Sequence, residues 1–434
     1  MDFDRYIEKN VKAGDLLEQL LITDLTVEGQ GVARYGKQVV FLDQGLPGAL
    51  VCALATRIAK GVIHARVERQ VAPSPHEISP WCPHFGECGA CMWQHLSADA
   101  ALEWKHVHVR QTLARIGRLP DVPVEAVLAS PMQKGFRNKM SYVFAEDPAG
   151  KPLLGLRHPK GHTVVEVERC ALQDPVAMQI LSFVRKEVEG LGLRALRPEV
   201  SAAGKKQPRG YLRFLVIRTP LMRDSDGSRQ IVVECISGAA HDSPAANGKS
   251  NIEALHTLGR SLNTHFSCSF VHSERRDKAD VAQGEKNIFV SGRDSFRESF
   301  GNVILSVPYN AFLQTNTRSA EMLYQLVERE ANLRGGDVLW DIYCGIGSAG
   351  FCAIRDGVGL HGFELQAASV KAARQNASAL GLANCFFHAG DVYGTLAARD
   401  IPRPDVIIVD PPRAGLSHGV REHLLNSRAR RLLY

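Results

Sequence analysis

The sequence has no long hydrophobic run and no strong excess of one charge. Nowhere in its 434 residues is there a stretch near the roughly 18 uninterrupted apolar residues that cross a bilayer. The acidic start, with Asp2 and Asp4, is not followed by the apolar core of a signal peptide. Lysine and arginine total 52 against 46 acidic residues, so the net charge of +6 suits an anionic partner without identifying one. We expect a cytoplasmic protein with no membrane partner.

Cysteine is too sparse for a small secreted disulfide scaffold, and the chain has no internal repeat. The ten cysteines are scattered, apart from three within residues 82–91, which indicates a reduced protein. The length exceeds one ordinary domain, and the 45% of hydrophobic residues is enough for packed cores. We therefore expect several domains.

The first two thirds of the chain divide into two segments by pattern. Residues 1–72 contain short apolar stretches separated by turn residues, which predicts a small β-barrel. Residues 73–303 have a mixed α+β pattern, with a helix predicted over 96–116. The stretch 237–251, rich in Gly, Ala, Ser and Asn, is predicted to be a loop.

Apolar strands alternate with amphipathic helices in residues 304–434. The predicted helices cover residues 317–330, 348–355 and 367–379, and the predicted strands cover residues 337–342, 359–364, 385–388 and 405–409. This order predicts an α/β domain with a parallel, doubly wound sheet and a ligand at the carboxyl ends of its strands.

The clustered cysteines Cys82, Cys88 and Cys91 lie in one glycine-containing loop, and Cys170 is available as a distant fourth. Converging thiolates suit a soft centre, either tetrahedral zinc or a four-iron cluster. The five residues between Cys82 and Cys88 exceed the roughly two to four typical of zinc sites, which favours iron and sulfur. Thiols without a metal are the alternative.

A glycine-rich turn follows the strand that ends near Asp341, with Gly345, Gly347 and Gly350 spaced as Gly-x-Gly-x-x-Gly. Glycines let a ligand approach the backbone closely, and the helix start that follows favours a carboxylate or phosphate. A dinucleotide is one ligand for such a turn. Asp341 would repel a pyrophosphate and instead suits the ammonium of an amino acid-like cofactor, which favours S-adenosylmethionine.

Three further acids follow or end the neighbouring strands. Glu364 stands where ribose hydroxyls need an acceptor, Asp391 toward the adenine side, and Asp410 beside the cofactor. Two prolines hold the chain after Asp410 extended. Arg413 replaces the aromatic residue that follows Asp-Pro-Pro in enzymes that methylate exocyclic amines, so the sequence disfavours that chemistry.

With these motifs the chain resembles the RNA uracil-5-methyltransferase family, in the iron–sulfur branch that modifies 23S ribosomal RNA. The resemblance covers nearly the whole chain, although Ala90 and Ser348 depart from the usual pattern. The matching segments are residues 27–33 and 46–48 for the family's TRAM barrel, 136–140 and 154–157 for its central domain, and 310–316 for the entry to its catalytic domain.

The resemblance implies an S-adenosylmethionine-dependent RNA (uracil-C5)-methyltransferase with a [4Fe-4S] cluster, acting on 23S rRNA or, alternatively, tRNA. It implies an OB-like TRAM barrel in residues 1–72, a cluster-binding α+β domain in 73–303 and a Rossmann-like methyltransferase domain in 304–434. We expect a monomer. The implied cluster ligands are Cys82, Cys88, Cys91 and Cys170, and the implied cofactor-binding residues are Gln314, Tyr343, Gly345, Gly347, Glu364, Asp391 and Asp410.

The chemistry of the resembled family needs a cysteine, because uracil C5 is too weak a nucleophile until a thiolate adds to C6. In that family the cysteine lies in a Ser-Cys-Asn-Pro segment after the Asp-Pro-Pro motif, and the base is a glutamate near the C-terminus. We expect both beyond Tyr434, with Asp410 and Arg413 in supporting roles. Cys344 is not expected to replace the nucleophile. The chain as written is therefore expected to be inactive, with an incomplete terminal domain.

Two basic clusters suit RNA phosphates, and their members are Lys134, Arg137 and Lys139, and Arg157, His158 and Lys160. Phe136 and Tyr142 are candidates for stacking on a flipped-out base, or they belong to an ordinary strand face. Two alternatives to the methyltransferase are a non-catalytic RNA-binding pseudoenzyme and a radical enzyme that cleaves S-adenosylmethionine. The radical enzyme is disfavoured because Cys170 would close a cluster that such enzymes leave open.

Overall fold

A computed structural model describes residues 11–200, 206–238, 250–398 and 401–434. These residues form two compact units. The first comprises the described residues up to Ala129 together with Arg157–Val165, and the second comprises those of Ser130–Leu156 and Glu166–Tyr434. The loop predicted over 237–251 lies mostly outside the described residues. The domain boundaries given by the sequence stay a prediction.

The first unit contains a closed β-barrel, as predicted. Its strands are β1 (Leu16–Leu25), β2 (Gly31–Tyr35), β3 (Gln38–Leu42), β4 (Leu50–Ala59) and β5 (Val62–Ala72), closed in the order β1-β2-β3-β5-β4. Alternating side chains such as Leu20 and Ile22 fill the interior, because successive residues of a strand point to opposite faces. Helix α1 (Ala98–Arg115) follows, and its Ala100 packs against Leu25 and Leu46.

The second unit begins with a mostly antiparallel sheet and two helices. Its elements are β6 (Lys139–Glu146), β7 (Pro152–Arg157), α2 (Pro175–Gly190), β9 (Arg197–Val200), β10 (Lys206–Arg209), β11 (Leu212–Arg218), β12 (Val232–Ser237), α3 (Asn251–Phe266), β13 (Ser269–Glu274) and β14 (Lys286–Ser291). The short strand β8 (Val164–Glu166) has its first two residues in the first unit and its last in the second. The sheet runs in the order β14-β13-β12-β11-β6-β7. Helix α3 starts at a capping box formed by Ser250 and Glu253, and it packs against β13.

The rest of the second unit is a parallel sheet with helices on both faces. Its elements are the hairpin β15 (Ser295–Phe300) and β16 (Val303–Pro308), then α4 (Thr317–Ala331), β17 (Val338–Ile342), α5 (Ser348–Ala353), β18 (Gly359–Glu364), α6 (Ala367–Ala379), β19 (Cys385–Ala389), α7 (Val392–Ala398), β20 (Val406–Val409), α8 (His418–Asn426) and β21 (Arg431–Leu433). Leu339 and Leu360 belong to one core, and Trp340 and Phe363 to another. The structure confirms the predicted parallel, doubly wound sheet.

The strand order of this sheet determines where a ligand can bind. The parallel strands lie in the order β19-β18-β17-β20-β21, so the chain starts at the centre and later reverses direction across the sheet. Such a reversal opens a crevice at the carboxyl ends of the two central strands, here β17 and β20. No helix among the described residues is long and apolar enough to cross a membrane.

Candidate functional site

Asp341 lies near the end of β17 at the predicted crevice. Its side chain is buried, with 2% of the residue exposed, and its Oδ2 accepts a hydrogen bond from the Gly350 N–H at 3.0 Å. Burial raises the pKa of Asp341 to about 7. The hydrogen bond from Gly350 acts to lower this pKa, whereas the negative charges of Asp410 and Glu364 raise it further. A positively charged ligand group would relieve this concentration of negative charge.

The turn after β17 requires glycine at one position and leaves open space at another. Tyr343, Gly345 and Gly347 all have positive φ angles, of 65°, 56° and 87°. A Cβ on Gly347 would lie 2.5 Å from the ring of Phe351, whereas a Cβ on Gly345 would meet no atom within 4 Å. The backbone at Gly345 is therefore open to a ligand.

Glu364 connects the end of β18 to this turn. Its Oε2 accepts from the Gly345 N–H at 3.2 Å, and its Oε1 accepts from the Gln366 N–H at 2.7 Å. The next residue, Leu365, is 66% exposed. An exposed apolar side chain beside an acid suits a flat ring with a polar attachment, such as a nucleoside, and sequence reasoning overlooked it. The signal was present in the sequence, since an apolar residue directly follows the predicted ribose acceptor.

Gln314 reaches the same crevice from the segment that precedes α4. Its Nε2 lies 3.5 Å from Asp410 Oδ2, at the long limit of a hydrogen bond. Asp410 is exposed just after β20, and its N–H donates to the Ile342 carbonyl at 3.4 Å. Phe312, two residues before Gln314, is 71% exposed and was also overlooked, although it is the one aromatic residue of 310–316.

Asp391 and Arg413 are more peripheral. Asp391 is exposed after β19, and its Oδ1 accepts from the Gly394 N–H at 3.0 Å. Burial raises the pKa of Tyr343, and the negative charge of Asp391 adds to the rise, so these two predicted residues act on each other. The side chain of Arg413 is exposed beyond Asp410.

The site residues predicted at the strand ends are thus brought together as an acidic crevice. Asp341, Glu364 and Asp410 border it, with Gln314 beside Asp410. A pyrophosphate would meet this negative charge unfavourably, whereas an ammonium and neutral hydroxyl groups match it. The residues present therefore fit a nucleoside cofactor with an amino acid portion better than a dinucleotide.

Cys344 is in the turn but is a poor nucleophile in this fold. It is buried, and burial raises the pKa of its thiol well above the usual range, with the charges of Asp341 and Glu364 contributing. The reactive form of cysteine is the thiolate, which such surroundings disfavour.

The structure does not show a metal centre at the clustered cysteines. Cys82, Cys88 and Cys91 are half-buried in the first unit, where the Cys88 N–H donates to the His84 carbonyl at 2.8 Å. Cys170 belongs to the second unit. Among the residues described, no group of three or more His, Cys, Asp or Glu side chains is arranged to hold a metal ion. The [4Fe-4S] ligand set therefore stays a prediction.

The structure decides between the two interpretations of Tyr142. Tyr142 is fully buried, and its hydroxyl donates to Gln173 Oε1, so it belongs to the core and is not available to stack on a base. Phe136 is half-buried. Lys139 is partly buried at the start of β6, where desolvation lowers the pKa of its ammonium to about 8, with the charge of Arg218 acting in the same direction.

Sequence comparisons identify the family of this chain, although no family model matches it. It is 37% identical over 421 residues to an uncharacterized RNA methyltransferase of Nitratidesulfovibrio vulgaris, covering 95% of this chain and 86% of that protein. The chain belongs to this family of RNA methyltransferases. A second member, from Nostoc sp., is 30% identical over 424 residues and covers 97% and 87% of the two chains. The resemblance to RNA methyltransferases found in the sequence is confirmed.

The fold of this RNA methyltransferase is shared with a solved structure. The tRNA (uracil-54, C5)-methyltransferase of Pyrococcus abyssi, in complex with S-adenosyl-L-homocysteine, superposes with a TM-score of 0.69. The alignment covers 94% of this chain and 87% of that one, at 22% identity. This likeness extends the shared fold over nearly the whole chain.

Proposed function

We propose that this RNA methyltransferase uses S-adenosylmethionine to form 5-methyluridine in 23S ribosomal RNA. The observation that carries the proposal is the acidic crevice of Asp341, Glu364 and Asp410 at the reversal point of the parallel sheet. The Pyrococcus abyssi enzyme, which has the same fold and acts on uracil C5, supports the choice of base.

Each residue of the crevice has a task in this proposal. The negative charge of Asp341 and its neighbouring acids attracts the ammonium of the cofactor. Glu364 accepts hydrogen bonds from ribose hydroxyls, and Asp391 lies toward the adenine. Gly345 and Gly347 permit close approach of the backbone, with Tyr343 beside them. When bound, the cofactor supplies an electrophilic methyl group. Gln314 and Asp410 border the cofactor at the end of the crevice where the uracil would enter.

The uracil ring requires activation by a thiolate. The thiolate adds to uracil C6, and the resulting enolate is nucleophilic at C5, which takes the methyl group. A base then removes the C5 proton, and the thiolate leaves as the C5–C6 double bond re-forms. The raised pKa of Cys344 argues against that residue as the nucleophile. The nucleophilic cysteine that the family resemblance implies stays a prediction.

RNA is the proposed partner, through positively charged side chains of the second unit. Lys134 and Arg137 precede β6, and Lys139 is its first residue; these basic side chains suit phosphate contacts. Phe312 offers the exposed aromatic surface on which an unstacked base can rest, a role that Tyr142 cannot fill. Arg157, His158 and Lys160, in the first unit, are proposed as additional phosphate contacts.

A [4Fe-4S] cluster on Cys82, Cys88, Cys91 and Cys170 remains part of the proposal on the strength of the family resemblance. Anaerobic purification with iron, sulfide and zinc analysis tests it. About four iron atoms per chain support the cluster, whereas stoichiometric zinc or no metal would reject it.

The test of the cofactor is a calorimetric titration of the protein with S-adenosylhomocysteine and, separately, with NAD⁺. Binding of the first and not the second is expected, and the reverse would reject the proposal. The test of the substrate is a map of 5-methyluridine in RNA from cells with and without the gene for this protein. Loss of one site in 23S rRNA is expected. Loss from tRNA would reassign the substrate, and no loss would favour a non-catalytic RNA-binding protein.

A further inference from the structure

Asn138, immediately before β6, joins the central sheet to the segment that carries Gln314. It is buried, with 5% of the residue exposed, and its Nδ2 donates to the Gln314 carbonyl and to Thr317 Oγ1, both at 2.9 Å. Its backbone N–H donates to the Thr315 carbonyl at 2.8 Å. Three hydrogen bonds from one residue thus hold the main chain at Gln314 and Thr315 and the helix start at Thr317.

Flipping the side-chain amide of Asn138 would lose both of its hydrogen bonds. Thr317 Oγ1 donates to Glu298 Oε2 at 3.0 Å, so this hydroxyl can only accept from Asn138. The other partner is a carbonyl oxygen, which also only accepts. Glu298 is itself fixed by the N–H groups of Leu221 and Met222, each at 3.0 Å. The network therefore needs an amide donor at this position.

The side chain of Gln314 depends on this support. Its 3.5 Å contact with Asp410 is too long to hold the side chain by itself. The main chain of the segment is also held at Ala311, whose carbonyl accepts from Arg218 Nη2 at 2.6 Å. Residues from the central strands thus set the backbone from which Gln314 reaches the crevice.

We propose that Asn138 is a positioning residue for the methyl donor, acting through Gln314 and without contact to the ligand. The inference rests on the proposed function, because it assumes that Gln314 borders the cofactor. In the resembled family the segment around Asn138 serves as a signature of the central domain, and the geometry points to a task for this one position. Loss of Asn138 is expected to loosen Gln314 and to leave the acids of the crevice unchanged.

The experiment is a double-mutant cycle read out as affinity for S-adenosylhomocysteine. Asn138→Ala is expected to weaken binding about tenfold in the wild-type background and less than twofold when Gln314→Ala is already present. A purely structural role would weaken binding equally in both backgrounds, and that additive result would overturn the inference.

Asn376 offers a matched control in the same unit. It is also buried, with 1% of the residue exposed, and it bridges to Ser306 through two hydrogen bonds of 3.1 and 2.8 Å without touching Gln314 or Asp410. Asn376→Ala is expected to lower the unfolding temperature and to leave the affinity within about twofold. An equal loss of affinity in both variants would also overturn the inference.

Asn138→Asp covers the case in which the alanine variant does not fold. The shape is kept, but a carboxylate faces the Gln314 carbonyl oxygen, so a natively folded variant is expected to show the same loss of affinity. Unchanged affinity in this variant would reject the positioning role. If the wild-type protein does not bind S-adenosylhomocysteine, the proposed function fails first and the inference with it, which separates that outcome from an additive cycle.

Discussion

Asp341 and Gly350 meet across the turn between β17 and α5, at a distance that no larger residue would allow. The Gly350 N–H donates to Asp341 Oδ2 at 3.0 Å, and a Cβ on Gly350 would lie only 2.8 Å from that same oxygen. The third glycine of the motif is therefore needed for the buried carboxyl. The motif holds an acid in place, which is a different task from cradling a phosphate.

Replacing Asp341 with asparagine should stabilise the protein and weaken cofactor binding. The pKa of this carboxyl is about 7 in the fold against an ordinary 3.8, so the folded protein retains a proton that the unfolded chain releases between these values. The free energy of unfolding therefore falls as pH rises through this window. Urea unfolding at pH 8 should show Asp341→Asn to be more stable by an amount on the order of 2–4 kcal/mol, with little difference at pH 4.

Asp337, just before β17, is the control with the opposite sign. A hydrogen bond from Arg430 lowers the pKa of Asp337, so Asp337→Asn should destabilise the protein at pH 8. Titration with S-adenosylhomocysteine should show at least tenfold weaker binding for Asp341→Asn and unchanged binding for Asp337→Asn. If Asp341→Asn were less stable than the wild-type protein at pH 8, the conclusion that burial destabilises the charged form of this carboxyl would be wrong.

The two glycines of the turn should respond differently to alanine. Gly347→Ala combines a φ of 87° with a Cβ 2.5 Å from Phe351, so we expect a loss of about 2–4 kcal/mol of stability. Gly345→Ala has a φ of 56° and open space, and should cost about 1 kcal/mol. Thermal unfolding checks both values. Binding of S-adenosylhomocysteine should nevertheless weaken in Gly345→Ala, and undiminished binding would place the ligand elsewhere.

RNA affinity should fall as pH rises from 7 to 9. The pKa of Lys139 is lowered to about 8 by burial and by the charge of Arg218, against an opposing effect of Glu234, so this side chain loses its charge in that range. Fluorescence anisotropy at constant ionic strength measures the affinity. Lys139→Gln should remove this change with pH. Lys134→Gln, at an exposed position of the same segment, should weaken RNA binding and leave its dependence on pH in place. If Lys139→Gln keeps the wild-type dependence of RNA affinity on pH, Lys139 is excluded from the RNA contacts.

Alkylation should separate the buried thiols from the clustered ones. Burial raises the pKa of the thiols of Cys344, Cys235 and Cys268, which should stay unmodified by iodoacetamide at pH 8 in the folded protein. The half-buried cysteines at 82, 88 and 91 should react in metal-free protein. Peptide mass spectrometry over time gives the rates. Rapid modification of Cys344 would return it to the list of candidate nucleophiles.

Much of the parallel sheet was predictable because its elements are marked locally. Strand β18 and helix α6 begin and end at the predicted residues, since apolar runs and a 3.6-residue period are written directly into the chain. Strand β2 is harder to predict, because glycine turns at both of its ends resemble a continuous loop. Helix α7 has seven residues, one of them Gly394, and carries too little periodic signal to be recognised.

The sequence alone determined the barrel, most strands and helices of the parallel sheet, the acidic strand ends and the relationship to RNA methyltransferases. These follow from residues close together in the chain or from motifs of several residues. Only the tertiary structure decided that Tyr142 is buried in the core, that Asp341 is a desolvated acid, and that Asn138 supports Gln314 from 176 residues away. The physical reason is that burial and hydrogen-bond partners depend on which distant segments pack together, and spacing along the chain carries no information on that.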